Sequence, residues 1–260
     1  MLKKRVIFTL LYDNGSFMLS RNFRLQRVGD LSWLNKNYNF SKIAFSIDEL
    51  IILDVTRGIR DLESFCNNIK SLTEGCFVPI AAGGGIRSVN DARKLLRSGA
   101  DKVVINTLLD VNPDVIYGMA SEFGRQCIIA SIDIKRVNNV ASVFTENGNR
   151  VQKSSPADWI KKLLKLPVGE LYFNSMDRDG TGQGYDIFLL DYLPESMPIP
   201  LILAGGAGKF NHLAEGLSEN RVDAVATAHL FNFVGNGLVK ARLDLINMGF
   251  NLATWAIPKS

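Results

Sequence analysis

Pro79-Ile80-Ala81-Ala82-Gly83-Gly84-Gly85-Ile86 and, further along, Pro200-Leu201-Ile202-Leu203-Ala204-Gly205-Gly206-Ala207 carry one short pattern twice: a proline, an apolar run, then glycines. Around these stretches the chain repeats itself at an offset of about 121 residues, and such a period has to be recognised before any fold is read. Glu49-Leu50 opens an apolar run in one half and matches Glu170-Leu171 in the other. Asp101 matches Asp223 after a small slip. The same register sets Leu11, which ends the first apolar run, opposite Asp133, which ends the run from Cys127 to Ile132. One half offers a methyl group where the other offers a carboxylate.

Outward from these stretches, short apolar runs alternate with segments of helical period. The predicted strands are Arg5–Leu11, Glu49–Asp54, Phe77–Ala82, Lys102–Asn106, Cys127–Asp133, Glu170–Ser175, Ile199–Ala204 and Asp223–Thr227. Between them, Ala92, Leu95 and Leu96 recur at helical spacing behind Ser88 and Asn90 as candidate caps. Trp159, Leu163 and Leu166 do the same after a Ser155-Pro156 start. Continuously apolar strands joined by helices pair in parallel with both faces covered. Eight such units with a twofold repeat predict one α/β domain over residues 1–260, a (β/α)8 TIM barrel built of two half-barrels. An open doubly wound sheet is the alternative, and it leaves the repeat unexplained.

The bulk numbers narrow the class. With 260 residues, 47% hydrophobic and 22% charged, the chain has the composition of a soluble globular protein. Its net charge of +4 is spread without a Lys/Arg block, which argues against nucleic-acid binding. Cys66, Cys76 and Cys127 are an odd number without CxxC spacing, which fits a reducing cytosol rather than a disulfide framework or a zinc site. No apolar run reaches membrane-spanning length, and the run from Val6 to Leu11 is too short for a signal-peptide core. His212 and His229 are too few and too isolated for a metal site. No Ser/His/Asp arrangement stands out either. Neither a metal nor another cofactor is expected.

In such a barrel the chemistry sits at the C-terminal ends of the strands. Two glycine clusters fall there, one containing Gly84 and Gly85 and the other Gly205 and Gly206, each ahead of a helix. Missing β-carbons let a phosphate approach the backbone, and a helix N-terminus offers N–H groups to it. Asn106 and Thr107 would complete the first site, and Thr227 and Ala228 the second. Two sites on opposite sides suit an elongated ligand with a phosphate at each end. Asp133 and Asp179 are the candidate catalytic carboxylates of the mouth, although Asp179 also suits the turn Asp177-Arg178-Asp179-Gly180-Thr181. At the opposite end, Arg5, Glu49, Lys102 and Glu170 each open a strand. Two cations and two anions there make either a charge ring with a task or an ion-pair cluster that closes the barrel floor.

Together these residues resemble the cyclase subunit of imidazole glycerol phosphate synthase. The likeness runs nearly end to end and includes Met1-Leu2, Lys4-Arg5, Asp48-Glu49-Leu50, Gly83-Gly84-Gly85-Ile86, Gly99-Ala100-Asp101-Lys102-Val103, Ile105-Asn106-Thr107, Asp133-Ile134-Lys135-Arg136, Asp177-Arg178-Asp179-Gly180-Thr181 and Gly205-Gly206-Ala207-Gly208-Lys209. The resemblance implies a glutaminase docked on the floor, and ammonia carried through the barrel to a bis-phosphorylated ribonucleotide. Arg5, Glu49, Lys102 and Glu170 then fall on the ammonia gate, and Asp101 at the glutaminase-docking face.

The departures gather at the mouth. The family's acid/base pair ends strands one and five; Asp133 matches the second member, and Leu11 stands where the first belongs. A family lysine of the first loop falls at Leu19. General acid/base catalysis contributes ~10²–10⁴-fold, so this change should largely abolish cyclisation. Tyr12 should point away from the barrel interior, because consecutive strand residues face opposite ways. Asp13 would substitute only if its loop bends back.

The pattern is similar to a paralogous branch associated with surface-polysaccharide or nonulosonic-acid biosynthesis in bacteria. The branch implies an ammonia-channelling barrel that serves an ATP-dependent N-acetyl-sugar amidotransferase. An active cyclase–lyase of histidine biosynthesis and a non-catalytic scaffold that activates a glutaminase are the other expectations.

Overall fold

Strands with two dry faces must be covered on both, and a closed ring of them covers one face with itself. The computed structural model, which describes residues 3–37, 46–228 and 237–254, has that closure. Its parallel strands run in the order β1 (Arg5–Asp13), β4 (Glu49–Asp54), β5 (Ile80–Gly83), β6 (Lys102–Ile105), β7 (Ile128–Val137), β10 (Glu170–Ser175), β11 (Leu201–Ala204) and β12 (Ala224–Thr227), which returns to β1. Helices such as Leu62–Thr73, Val89–Arg97, Pro156–Leu163 and Phe210–Ser218 lie between strands on the outside. Ser88 caps the second of these through a reciprocal capping box with Asp91, and Ser155 caps the third ahead of Pro156. Among the described residues no helix is long and apolar enough to cross a membrane.

The two-residue period of the strands divides the core. Ile7, Ile51, Ala81, Val104, Ile129, Tyr172, Ile202 and Ala224 fill the bore. Their neighbours one step along, including Phe8, Leu50, Val103, Leu171 and Val225, join Phe65, Leu95, Trp159 and Leu213 from the helices in the outer layer. Tyr12 follows this parity. It lies in the outer layer with its ring centroid 5.0 Å from Phe65 and 6.0 Å from Phe17, and its hydroxyl is 3.1 Å from the Ser64 hydroxyl.

The half-barrel repeat is physical as well as textual. A β-carbon on Gly84 would fall 2.0 Å from the carbonyl oxygen of Asp54; one on Gly205, at the equivalent position, would fall 2.5 Å from that of Ser175. Both glycines have positive φ, +102° and +87°. Asp101 and Asp223 are equivalent too: the carboxylate of each accepts the N–H that opens the preceding strand, Ile80 at 2.8 Å and Leu201 at 3.0 Å. Asp48 does the same for Val6 at 2.7 Å and also takes a two-pronged ion pair from Arg242.

Several strand boundaries differ from the sequence reading. Phe77 is 80% exposed ahead of Pro79, so β5 begins at Ile80. Cys127 closes a 3-10 turn, and Asp223 and Ile199 precede their strands. The larger difference is that β1 and β7 run past the barrel into antiparallel hairpins with β2 (Ser16–Arg21), β3 (Arg24–Gly29), β8 (Val140–Thr145) and β9 (Arg150–Val151). Their two-residue turns, Asn14-Gly15, Asn22-Phe23 and Asn138-Asn139, all have positive φ at both positions, the twist that matches flanking strands.

Gly84→Ala and Gly205→Ala are each expected to lower unfolding free energy by about 1–3 kcal/mol through backbone strain alone, with the carbonyl clash adding to it. Urea unfolding of the two variants checks this; wild-type midpoints would mean that the loops do not approach the strands as described.

Candidate functional site

Asp133 stands at the mouth on the bore face of β7 and is held between two amides. Asn106 Nδ2 donates to its Oδ2 at 2.8 Å, and Asn174 Nδ2 donates to its Oδ1 at 2.8 Å. Burial pushes the Asp133 carboxyl up to about 7; the Asn174 hydrogen bond works against this, and the nearby Asp179 charge adds to it. A carboxyl with that value exchanges protons at neutral pH. Asp179 lies past β10. Its Oδ2 accepts from the Ser20 hydroxyl and from Phe23 N–H at 3.0 Å. Burial raises its pKa, although both of those bonds favour the charged form.

Leu11 closes the third side of the mouth. It shares a strand face with Arg5, Ile7 and Thr9, and it pairs with Leu53 on β4 and Met18 on β2. No carboxylate faces Asp133 from the end of β1 at this level. Asp13 lies one level further on, opposite Ser16 in the hairpin, and its charge acts on Asp54 rather than on Asp133. Leu19 turns to the outer apolar layer, and its neighbour Ser20 reaches Asp179. The hairpin therefore touches the mouth through Ser20, Asn22 and Phe23. Asn22 Nδ2 also donates to the carbonyls of Met176 and Asp177 at 3.2 and 2.8 Å.

The two glycine loops differ in their surroundings. Arg60 lies across the first: a β-carbon on Gly85 would be 2.5 Å from Arg60 Cδ. Arg60 Nε is 3.5 Å from Asp54 Oδ2, and Asp54 also accepts from Thr56 N–H at 2.9 Å. Burial raises the Asp54 pKa against the pull of Thr56 and Arg60. In the second loop, Gly208 N–H donates to His212 Nδ1 at 3.2 Å, and Thr227 Oγ1 donates to the Ala207 carbonyl at 3.0 Å. Burial lowers the His212 pKa. Ala228 follows, half-buried. Thr107 Oγ1 accepts from Glu146 N–H at 3.1 Å, which ties the β8–β9 hairpin to the fourth loop.

At the floor, the four residues expected there form one closed ring. Arg5 donates to Glu49 Oε2 at 2.9 Å and to Glu170 Oε1 and Oε2 at 3.3 and 3.0 Å. Lys102 Nζ donates to both Glu49 oxygens at 3.1 Å and to Glu170 Oε1 at 2.7 Å. Burial dominates at Glu49, 2% exposed, and raises its pKa. At Glu170 burial works upward too, but Arg5 and Lys102 outweigh it and the pKa is lowered. The outward-facing Asp101 adjoins this ring in sequence and carries the strand-opening bond described above.

The structure thus gathers Asp133, Asp179 and Asn106 at one mouth and the four ring residues at the other end. Asn106, expected beside a phosphate, has its amide on Asp133. Sequence reasoning missed Asn174, Ser20 and Arg60. Asn174 was within reach, because it has the strand parity of Glu170 and Tyr172; Ser20 and Arg60 arrive through loops that no periodicity describes. His229 lies outside the described residues. Among those residues, no group of three His, Cys, Asp or Glu side chains is placed to hold a metal ion.

Comparison with known proteins adds two likenesses. Residues 28–235 match the family described as "Histidine biosynthesis protein". Over 242 residues, 93% of this chain and 90% of the relative, the chain is 49% identical to a putative imidazole glycerol phosphate synthase subunit hisF2 of Parasynechococcus marenigrum (strain WH8102).

A raised carboxyl pKa has a signed consequence. The folded state keeps a proton on Asp133 that the unfolded chain releases near its ordinary pKa of about 3.9. That stabilisation is fully present below the unfolded value and is lost as pH rises through about 7. Asp133→Asn removes the titration. Urea unfolding at about pH 5 and about pH 8 is expected to show wild-type stability falling relative to the variant. Parallel pH profiles would mean that Asp133 ionises normally.

Proposed function

This chain belongs to the histidine biosynthesis protein family, among the cyclase subunits of imidazole glycerol phosphate synthase, and from that premise we propose that it conducts ammonia without cyclising a ribonucleotide. In this reading a glutaminase subunit docks on the floor, near Asp101. Ammonia enters through Arg5, Glu49, Lys102 and Glu170, crosses the bore and leaves at the mouth. An ATP-dependent N-acetyl-sugar amidotransferase uses it in bacterial surface-polysaccharide or nonulosonate biosynthesis.

The single observation that carries this reading is Leu11 facing the mouth where an acid/base pair with Asp133 needs a carboxylate. A side chain without a proton to give or take cannot serve either half of general catalysis. The other end supports the gate reading. The ring is charge-balanced, and Lys102, 19% exposed, is a compact charge on a flexible stem that bonds both glutamates. Above it Ile7, Ile51, Val104 and Ile129 make an apolar collar. Neutral ammonia crosses such a collar at far lower cost than a charged ion. Gly84, Gly85, Gly205 and Gly206 fit a phosphorylated ligand at the mouth. The cytosol suits a partner enzyme that consumes ATP.

The test bypasses the glutaminase. The purified chain is given the bis-phosphorylated ribonucleotide of histidine biosynthesis with excess ammonium salt. No cyclised product is expected from folded protein. Turnover at an ordinary enzyme rate, about 1–10³ s⁻¹, would overturn the proposal in favour of an active cyclase–lyase, with Asp179 as the replacement group. In the assembled complex, Lys102→Ala is expected to let glutamine hydrolysis run without amidation. Unchanged coupling would remove the gate assignment.

A further inference from the structure

The bore holds one side chain that an apolar collar does not need. Tyr172 lies on β10 among Ile7, Ile51, Val104, Ile129 and Ile202, and it is 6% exposed. Its hydroxyl is 3.4 Å from the Thr9 hydroxyl on β1. Strands β11 and β12 stand between β10 and β1 in the closed ring, so the phenol reaches across the bore rather than along its wall. Those two strands contribute Ala204, Ala224 and Ala226 there, which leave the phenol its space. Ser131, the register partner of Tyr172 on β7, brings a third buried hydroxyl. Burial and the Asp133 and Asp179 charges raise the Tyr172 pKa against the pull of Thr9, so the phenol keeps its proton and lies within the field of the mouth. A buried hydroxyl is costly without a good partner, and O–H···O bonds are usually about 2.7–2.8 Å long. The Tyr172–Thr9 contact is well beyond that length. An aliphatic side chain would fill the collar without this cost.

We propose that the Tyr172 and Thr9 hydroxyls form a holding site for one neutral ammonia molecule between the apolar collar and the mouth, and that the phenol ring is the bar this molecule must pass. The proposal rests on the ammonia-conducting reading and names the residues that handle the cargo above the charge ring. Ammonia has one lone pair and three N–H groups. The Tyr172 O–H donates to the lone pair, and the Thr9 oxygen accepts an N–H. Two hydroxyls left 3.4 Å apart have the spare donor and acceptor capacity for this. Ammonium has no lone pair to take the phenol's hydrogen bond, and bringing its charge into the collar costs far more. The site therefore selects the neutral form of the cargo.

NMR of the full chain carrying isotope-labelled tyrosine, titrated with ammonium chloride at mildly alkaline pH, tests this. The Tyr172 ring signal is the one that disappears in Tyr172→Phe, a variant that keeps the ring. Sodium chloride at the same pH is the reference, because Asp133 titrates nearby. The expected result is a saturable movement of the Tyr172 signal at alkaline pH and none at mildly acidic pH, where only ammonium is present. Thr9→Val is expected to weaken binding by about threefold to tenfold, the worth of one neutral hydrogen bond. Thr9→Ser keeps the hydroxyl and is expected to bind as wild type does. Equal binding in wild type and Thr9→Val, or equal loss in both Thr9 variants, overturns the hydroxyl pair. Movement of the same size at acidic pH overturns the selection of neutral ammonia. A Tyr172 signal that ammonia does not move overturns the holding site and leaves the conducting reading to its own test, the coupling in Lys102→Ala. An active cyclase, conversely, would sink the conducting reading without moving this signal.

Discussion

Closing eight parallel strands on themselves commits every second side chain to one narrow bore. Each level of that bore has to be filled, neutralised or opened to water. At the bottom level the strands begin with two glutamates, which cannot be buried face to face without cations. Arg5 and Lys102 satisfy them, largely from across the bore, and the ring that results is neutral. The middle levels are largely apolar; Tyr172, Thr9 and Ser131 are polar, and the Tyr172 and Thr9 hydroxyls lie 3.4 Å apart. At the top, Asp133 is held between two amides, and burial raises its proton affinity against the pull of Asn174. Charge ring, collar and mouth are thus three answers to one geometric demand, stacked along an axis.

That demand explains which parts were legible in the sequence. Strands that span the bore carry an apolar run and a parity, so the order of elements and the inner faces of Arg5, Glu49, Lys102, Glu170 and Asp133 could be read from spacing. The glycine pairs could be read because a close approach to a carbonyl admits nothing larger. The hairpins were less legible. Asn14-Gly15 and Asn138-Asn139 are recognisable turn signals, but each follows a strand that already had a role, and the apolar run masks its own continuation. Arg60 and Ser20 were illegible for a different reason. They act across loops, where position is set by tertiary contacts and not by a period.

The half-barrel repeat is kept unevenly: Glu49 and Glu170 match at the floor, but Lys102 falls opposite Ala224. The repeat keeps the staple pair Asp101 and Asp223 and the glycine pair Gly84 and Gly205 in matched chemistry. It breaks at Leu11 and Asp133. The staples and the glycines match between the halves, and the strand-end pair does not. The leucine has apolar register partners there, Leu53 and Met18. What the leucine lacks is a proton to give or take.

The hairpin latch has a consequence for synthesis. Strand β1 pairs with β12, and the turn of β2 and β3 rests on residues 176–180, where a β-carbon on Gly180 would fall 1.8 Å from the Ser20 carbonyl. Strand β1 therefore meets β12 only when the last quarter of the sequence has been made. Until then this apolar strand has one finished neighbour, β4, and an open edge on the other side. The barrel is completed at the seam between its two ends, so the N-terminal strand is the one that a chaperone has most reason to shield.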